Sequence, residues 1–155
     1  MKSLCASFLV MLFAIAPAAA KGRHCMFRVH VEANPRDTAV FATSVPAKFS
    51  GRAIAIERTP RLSEQDVLAF YPYVAADKSF GALVQFDEHG RIALDALSIE
   101  RRGKLLFMFI NGRPITELEI DKRVSDGKIY IASGLTAADI AAMKKDWRLI
   151  GQRKR

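Results

Sequence analysis

Cysteine is scarce in this chain. Cys5 and Cys25 are the only two among its 155 residues, and Cys5 lies in an N-terminal segment that we expect to be removed. Because one remaining thiol cannot form an internal disulfide, the fold has to be held together by packing. Cys25 would follow closely on the new N-terminus, where we expect a mobile thiol without a function that could at most pair between chains.

The sequence also lacks the short motifs that carry common enzyme chemistries. It contains no HExxH, GxSxG or CxxC motif, no P-loop and no glycine-rich dinucleotide pattern. Local signals for zinc hydrolysis, serine acyl transfer, dithiol exchange and nucleotide chemistry are therefore missing. We expect a protein that is not an enzyme and needs no cofactor. A small hydrolase whose site assembles only in space stays open as a third alternative.

Histidine and hydroxyl residues offer few candidates for metal binding or nucleophilic catalysis. His24, Cys25 and His30 could together supply metal ligands, but zinc requires four ligands, or three and a water. Three side chains near a chain end are more simply solvated, so we expect no metal site. Ser98 has no neighbouring base in the sequence and is interpreted as a hydroxyl on a helix. His89 is interpreted as a loop residue.

Long apolar runs are absent as well, with one exception at the N-terminus. Lys2 precedes an apolar stretch at residues 4–15, and small residues including Ala18 and Ala20 follow it. A charged start, a short apolar core and a small-residue end predict a signal peptide at residues 1–20, cut after Ala20. The alternative is an uncleaved anchor, which needs a longer apolar stretch or a second lipid signal. We therefore expect an exported protein, located in a bacterial periplasm.

Charge is the second bulk property. Removing the first 20 residues leaves 135, enough for one domain, which we assign to residues 21–150. Basic residues outnumber acidic ones by 24 to 16, and loss of Lys2 lowers the net charge from +8 to +7. The alternative function is therefore binding of polyanionic or membrane surfaces through a basic C-terminal helix. No nucleic-acid motif accompanies the charge, so we expect no specific nucleic acid partner. The densest basic stretch comprises Lys144, Lys145, Arg148 and the tail at residues 151–155.

Alternation of apolar and polar residues predicts a β-rich first part of the domain. Phe27, Val29 and Val31 share one face of an extended segment, and polar residues lie between them. Further strands are predicted at residues 40–45 and 52–57, which are separated by proline and glycine.

Two similar patterns each predict the start of a helix. At residues 62–67, Ser63 can cap a helix and Asp66 can bond back to it; the same pattern recurs at residues 135–140. Each follows a predicted strand, which leaves both internal duplication and convergent capping open. Pro72 is expected to end the first of these helices early.

The clearest signals lie between these two patterns. A strand is predicted at residues 82–86, and a helix at residues 90–102 that packs through Leu94 and Leu97. Residues 105–110 are apolar on both faces, which predicts a central strand covered on both sides.

Turn residues then predict antiparallel pairing. Asn111-Gly112 indicates a hairpin, because both central residues of the favoured two-residue turn need positive φ. A second turn at Asp126-Gly127 leads to another apolar strand, and we expect these strands to be antiparallel neighbours. The fold class is therefore α+β, a mostly antiparallel sheet with two to three helices packed on it. The last helix should pack through Ile140, Met143, Trp147 and Ile150.

A series of short motifs follows in order along residues 54–143. It comprises the helix-start pattern at residues 62–67, Phe86-Asp87, Gly90, Ser98, Gly103-Lys104, Asn111-Gly112, Gly127 and Gly134-Leu135-Thr136. In this order and spacing the series resembles the head subdomain of the first periplasmic domain of SecD, a subunit of the bacterial protein-export machinery. The sequence departs from that family at Leu118-Glu119, where a small residue and proline are frequent.

The resemblance implies a ferredoxin-like α/β sandwich that contacts emerging polypeptide. SecD continues into membrane helices that convert a proton gradient into movement, and no later segment here has roughly 18 apolar residues in a row. We therefore expect a free-standing exported copy of the head and not the motor.

Binding of protein or peptide is the function we expect, with envelope proteins among the partners. Tyr71 and Tyr73 flank Pro72 and are the candidates for an exposed aromatic surface, which commonly marks an interface. An edge strand could instead accept an extended peptide through backbone hydrogen bonds. Salt distinguishes this function from the alternative, because only polyanion binding should collapse at moderate ionic strength.

Overall fold

The strands form two four-stranded sheets and a two-stranded ribbon. The fold is taken from a computed structural model that describes residues 22, 25–49 and 51–152. The predicted cleavage site at Ala18 and Ala20 and the end of the basic tail lie outside these residues. The elements are β1 (Phe27–Val31), β2 (Ala42–Pro46), β3 (Ala53–Glu57), β4 (Leu62–Ser63), β5 (Val67–Val74), β6 (Phe80–Phe86), α1 (Glu88–Glu100), β7 (Leu105–Ile110), β8 (Arg113–Glu119), β9 (Lys128–Leu135), α2 (Ala137–Asp146) and β10 (Arg148–Leu149).

The first sheet has the order β4-β1-β7-β8, with β7 in its interior. Met108 and Ile110 of β7 belong to the main core, whereas Phe107 packs against Ala47 and Ile56 of the β2–β3 ribbon. The predicted central strand, apolar on both faces because both are covered, is thereby confirmed. The predicted alternation of β1 is also confirmed, since Phe27, Val29 and Val31 are buried.

The second sheet has the order β10-β5-β6-β9. All pairs are antiparallel except the short one between β10 and β5. The Phe70 carbonyl accepts a hydrogen bond from the Ile150 N–H. Pro72 lies two residues further along β5, so its nitrogen faces the same edge of the strand. Because β10 pairs only with Ala69 and Phe70, Pro72 lies at an open edge, where the lack of an N–H disrupts no ladder.

The helix predicted from residue 62 onward is wrong. Ser63 and Asp66 do form the expected reciprocal contacts: the Asp66 carboxylate accepts from the Ser63 N–H at 2.7 Å, and the Asp66 N–H donates to the Ser63 carbonyl. These bonds close a turn between β4 and β5 instead of a first helical turn. The following residues, rich in β-branched and aromatic side chains and containing Pro72, favour a strand.

The other two helices are confirmed, but their bounds differ from the prediction. Helix α1 begins at Glu88 and contains His89, so the interpretation of His89 as a loop residue is wrong, and Trp147 and Ile150 follow α2 instead of lying on it. Asp87 caps α1 through the Gly90 N–H, and Thr136 and Asp139 form a complete capping box on α2. However, α2 ends at Asp146, and Arg148 belongs to strand β10. The predicted basic helix therefore carries Lys144 and Lys145 but not Arg148.

The two predicted turns have different outcomes. Asn111 and Gly112 have φ values of +49° and +78° and join β7 to β8, which confirms the hairpin. Strand β9, in contrast, pairs with β6 and not with β8, so the prediction that β8 and β9 are antiparallel neighbours in one sheet is wrong. The chain crosses from one sheet to the other between these strands.

One apolar core joins both sheets and both helices. Phe27 of the first sheet packs near Phe86 of the second and edge-on to Trp147, which also contacts Phe70. This is an α+β sandwich of mainly antiparallel sheets, as predicted. Neither helix in the described part of the chain has the length and apolarity that a membrane crossing needs.

The sequence suggested that Cys25 is a mobile terminal thiol, and this prediction is wrong. The residue is fully buried in the core, and its N–H donates to the Asp146 carboxylate at 2.7 Å. Burial, together with the negative charges of Asp139 and Asp146, raises the pKa of the Cys25 thiol to about 12. Because the thiolate is the reactive form, pairing of Cys25 between folded chains is disfavoured.

We expect the folded chain to react with Ellman's reagent at pH 8 about 100-fold more slowly at Cys25 than the chain in guanidinium chloride. A Cys25→Ser variant identifies the signal from this thiol. Fast reaction of the folded protein, or a dimer on a non-reducing gel that Cys25→Ser abolishes, would contradict the buried position.

Candidate functional site

The outward side of the second sheet carries two cations, Arg148 and Lys128, and three tyrosines. Alternation places this side opposite the buried Phe70, Val84 and Ile129. Register aligns Arg148, Ala69, Gln85 and Lys128 in one row across the four strands, and Tyr71, Leu83 and Tyr130 in the next. We call this side the tyrosine face; its side chains are Arg148, Ala69, Tyr71, Tyr73, Leu83, Gln85, Lys128 and Tyr130.

The three tyrosines differ in their roles. Tyr71 and Tyr130 are 55% and 56% exposed, whereas Tyr73 is half-buried and stacks on Tyr130 with ring centroids 5.3 Å apart. The Tyr73 hydroxyl donates to the carbonyls of Ile131 and Ala132. Burial and the hydrogen bond with Tyr130 raise the pKa of Tyr73, which keeps its hydroxyl protonated as a donor. Tyr73 therefore supports the sheet, and Tyr71 and Tyr130 offer the free aromatic surface.

Glycine at position 81 makes room for the Tyr73 ring. Gly81 lies directly opposite Tyr73 in the register of β5 and β6. A Cβ atom at position 81 would lie 2.2 Å from the Tyr73 ring and 2.5 Å from the Ile131 carbonyl oxygen. The ring thus covers a glycine and reaches the next strand across it.

A cleft of about 470 Å³ lies between β8, β9 and α1. Apolar side chains predominate in its interior, and charged residues lie along its rim. Lys128 and Tyr130 line the cleft and also belong to the tyrosine face, so the two surfaces are continuous at β9. The lining comprises Leu94, Ser98, Leu106, Leu118, Ile120, Val124, Ile129 and Tyr130, with Glu119, Asp121, Lys122 and Lys128.

The two edge strands beside the cleft are not equally accessible. The turn after β2 covers part of β8: the Glu117 carboxylate accepts the N–H groups of Lys48 and Phe49 at 2.8 Å each, and the Lys48 ammonium donates to the Ile115 carbonyl. Strand β9 is eight residues long and, within the described ranges, pairs with β6 only. Gly134, near its C-terminal end, lies against Ile115 of β8, so the open part of its edge is the N-terminal part around Lys128 and Tyr130.

The backbone groups of β9 that face the open edge can be identified. The Gly127 carbonyl accepts from the Phe86 N–H, and the Ile131 carbonyl accepts from the Tyr73 hydroxyl across β6. Both groups therefore face β6. Because successive residues of a strand point their N–H and C=O groups to opposite edges, the Lys128 carbonyl and both backbone groups of Tyr130 are directed to the open edge beside the cleft. The Lys128 N–H already donates to the Asp126 carboxylate at 3.2 Å.

One cluster of titratable groups lies outside both the cleft and the tyrosine face. Ligand atoms of Asp66, Asp87 and His89 lie within 4.8 Å of one another, but their hydrogen bonds are structural. Asp66 holds the Ser63 turn and accepts from His89 at 2.8 Å, and Asp87 caps α1. The hydrogen bond to Asp66 raises the pKa of the His89 imidazole. None of the three residues lines the cleft.

The other residues singled out in the sequence do not assemble into a site. His24 lies outside the described residues, Cys25 is buried, and the His30 ring bonds the Glu57 carbonyl at 2.8 Å. Lys144 and Lys145 are exposed on the last turn of α2. The Ser98 hydroxyl donates to the Asp95 carbonyl and accepts the Val124 N–H, and so serves as a structural hydroxyl in the described part of the chain.

The chain is similar in fold to parts of solved SecDF structures. No family model and no curated protein matches it. A crystal structure of SecDF in a super-membrane-facing form gives a TM-score of 0.56 at 15% identity, over 83% of this chain and 20% of that chain. A structure of SecDF, described as a membrane component that enhances protein export, gives a TM-score of 0.56 at 14% identity, over 86% of this chain and 70% of that chain. The chain thus spans a fifth of the first structure, and the likeness establishes a SecD-like fold.

Proposed function

We propose that this chain is an exported, non-catalytic module that binds protein or peptide segments in extended form along β9. In this proposal it corresponds to the head subdomain of the first periplasmic domain of SecD and acts in the periplasm after loss of its leader. The SecD-like fold supports a setting in protein export, since the similar SecDF enhances that process.

The observation that carries the proposal is the open edge of β9 beside an apolar cleft. A strand added to an edge gains main-chain hydrogen bonds with little demand on sequence, and its alternate side chains enter pockets. Here the Lys128 carbonyl and the N–H and carbonyl of Tyr130 face the open edge, and the cleft of about 470 Å³ lies next to them. An unfolded segment of a partner protein fits this chemistry.

The cluster of Asp66, Asp87 and His89 does not favour an enzyme. A histidine with two carboxylates is the composition that acid–base chemistry uses, but such groups must lie where a substrate can reach them in a shaped pocket. Here the carboxylates accept hydrogen bonds that define a turn and a helix start, and the His89 side chain is 83% exposed.

A second candidate function is binding of a polyanionic surface. It is favoured by Arg148 and Lys128 in one row of the tyrosine face, with Lys144 and Lys145 exposed nearby in sequence. The two functions differ in their response to salt. Polyanion binding should weaken steeply between low and moderate ionic strength, whereas strand addition with apolar contacts should change little.

We expect the protein, purified from cells that express the full chain, to bind fluorescein-labelled, reduced and carboxymethylated lactalbumin, a soluble unfolded polypeptide. Tyr130→Pro removes an N–H at the open edge and should weaken binding about ten-fold, because main-chain bonds to the added strand are lost. Fluorescence anisotropy at low and moderate salt measures the affinity.

Tyr130→Thr is the matched control, because it removes the ring but keeps the N–H and suits a strand. It should retain most of the affinity, and urea unfolding of both variants shows whether they are folded. No binding by the wild type, equal binding by Tyr130→Pro, or binding that disappears at moderate salt would overturn the proposed function.

A further inference from the structure

We infer that β9 selects segments in which an acidic residue, an apolar residue and an aromatic or β-branched residue follow one another. The inference rests on the proposed function and specifies the chemistry of the bound segment. It follows from which side chains of β9 point into the cleft, which point to the tyrosine face, and what charge each side offers.

The alternation of β9 divides the environment of an added strand into two sides. Ile129 is buried and faces the core, while Lys128 and Tyr130 point outward. A residue of the added strand next to Ile129 therefore enters the cleft, and its two neighbours lie on the tyrosine face.

The inner position requires an apolar side chain. Leu94, Leu106 and Ile120 are buried in the core around the cleft, and the hydroxyl of Ser98 is already hydrogen-bonded on both sides. A polar side chain placed there would lose its hydration without finding a partner, which is costly. Burial of a leucine, isoleucine or valine side chain in this space stabilises the complex.

The outer position next to Lys128 favours a carboxylate. The ammonium of Lys128 forms no ion pair within the part of the chain that the structure describes, and none of the outward residues of the tyrosine face is acidic. The nearby carboxylate of Asp126 accepts the Lys128 N–H, and Glu119 and Asp121 line the cleft and not the tyrosine face. Strand β8 offers the opposite charge at its free end, where Glu119 is exposed, whereas Glu117 is already bonded to the turn after β2. The charge preference of a bound segment thus reports which edge it joins.

The outer position next to Tyr130 favours a flat or branched side chain. Tyr130 is already stacked on Tyr73, and its exposed ring can contact a residue opposite it in the added strand. Aromatic and β-branched residues in such cross-strand positions stabilise a sheet more than alanine does. Leu83 lies between Tyr71 and Tyr130 in the same row and extends the apolar surface beside Tyr130.

The test uses two labelled peptides with palindromic centres, so that strand direction does not matter. One contains Glu-Leu-Tyr-Leu-Glu and the other Lys-Leu-Tyr-Leu-Lys within the same Ser/Thr flanks. At low salt the wild type should bind the acidic peptide roughly five-fold more tightly, and Lys128→Glu should reverse the preference. Arg36→Glu, an exposed residue in the turn after β1, makes the same change in net charge and should leave the preference unchanged.

The outcomes separate this inference from the proposed function. Equal affinity of the wild type for both peptides, or a preference that Arg36→Glu alters as much as Lys128→Glu, overturns the inference and leaves strand addition at β9 in place. Preference for the basic peptide assigns the segment to β8 and also overturns it. Binding of neither peptide, nor of a third with Leu-Tyr-Leu between threonines, overturns the proposed function itself.

Discussion

Replacing Gly81 with alanine is expected to lower the free energy of unfolding by about 3 kcal/mol, at the upper end of what overpacking costs. The new methyl group would meet the Tyr73 ring at 2.2 Å and the Ile131 carbonyl oxygen at 2.5 Å. One neighbour is held by stacking and hydrogen bonds and the other is backbone, so neither can yield without disturbing the sheet. Urea unfolding followed by circular dichroism measures the change.

Gly103→Ala is the matched control for this substitution. Gly103 has a φ of +78° but open space around the added atom, so it should cost only about 1 kcal/mol of backbone strain. The double variant Gly81→Ala with Tyr73→Leu should recover part of the loss, because the ring has gone while the carbonyl remains. A cost for Gly81→Ala no larger than that for Gly103→Ala would refute the close packing.

Replacing Asp139 with alanine is expected to cost about 3 kcal/mol, because it removes a helix-capping interaction of up to about 2 kcal/mol and an ion pair with a half-exposed arginine of up to about 1 kcal/mol. Asp139 is only 5% exposed. Its carboxylate accepts from the N–H and the hydroxyl of Thr136 and from the Arg113 guanidinium. The substitution therefore removes the capping box of α2 and its link to the β7–β8 hairpin together.

Arg113→Gln tests how much of this loss comes from the ion pair with Arg113 and how much comes from the capping box. The Arg113 side chain is half exposed, so loss of its charge should cost about 1 kcal/mol or less, while the capping box stays intact. Equal costs for Arg113→Gln and Asp139→Ala would show that the cap contributes nothing. Chemical denaturation of both variants at pH 7 gives the comparison.

Stability should also fall in acid because of Asp139. Burial acts to raise the pKa of this carboxyl, but the hydrogen bonds from Thr136 and Arg113 outweigh it, and the pKa lies below the ordinary value of 3.8. A depressed folded-state pKa gives stability that is present above the unfolded value and is lost as the pH falls through the folded one. Asp139→Asn should flatten the stability profile below about pH 4. An unchanged acid slope would contradict this assignment.

The two similar capping patterns show where local sequence is sufficient and where it is not. In both pairs, Ser63 with Asp66 and Thr136 with Asp139, the aspartate carboxylate accepts the N–H of the hydroxyl residue. The return bond differs, because the Asp139 N–H donates to the Thr136 hydroxyl whereas the Asp66 N–H donates to the Ser63 carbonyl, and only the Thr136 pair starts a helix. The bonds fix a short turn, and the residues that follow decide its continuation. Residues 137–146 are rich in alanine and lysine, whereas β5 contains aromatic residues, valine and Pro72.

The candidate site could be predicted only in part, because it depends on which sheet each strand joins. Alternation in β9 is sufficient to place Tyr130 outward, so this exposed residue could have been found beside Tyr71. The cleft could not, since it brings Leu118 and Ile120 next to Ile129 from strands of different sheets. Period-two patterns give the face of a side chain but not the neighbour of a strand.

Pro72 has a consequence for how many molecules can assemble. A sheet with two free edges could accept a strand on each, and copies of the chain could then stack into open-ended fibres. Beyond the short β10, the edge of β5 lacks the N–H of Pro72 and is a poor template for pairing. Polymerisation through this sheet is thereby blocked on one side, which favours complexes of one-to-one stoichiometry.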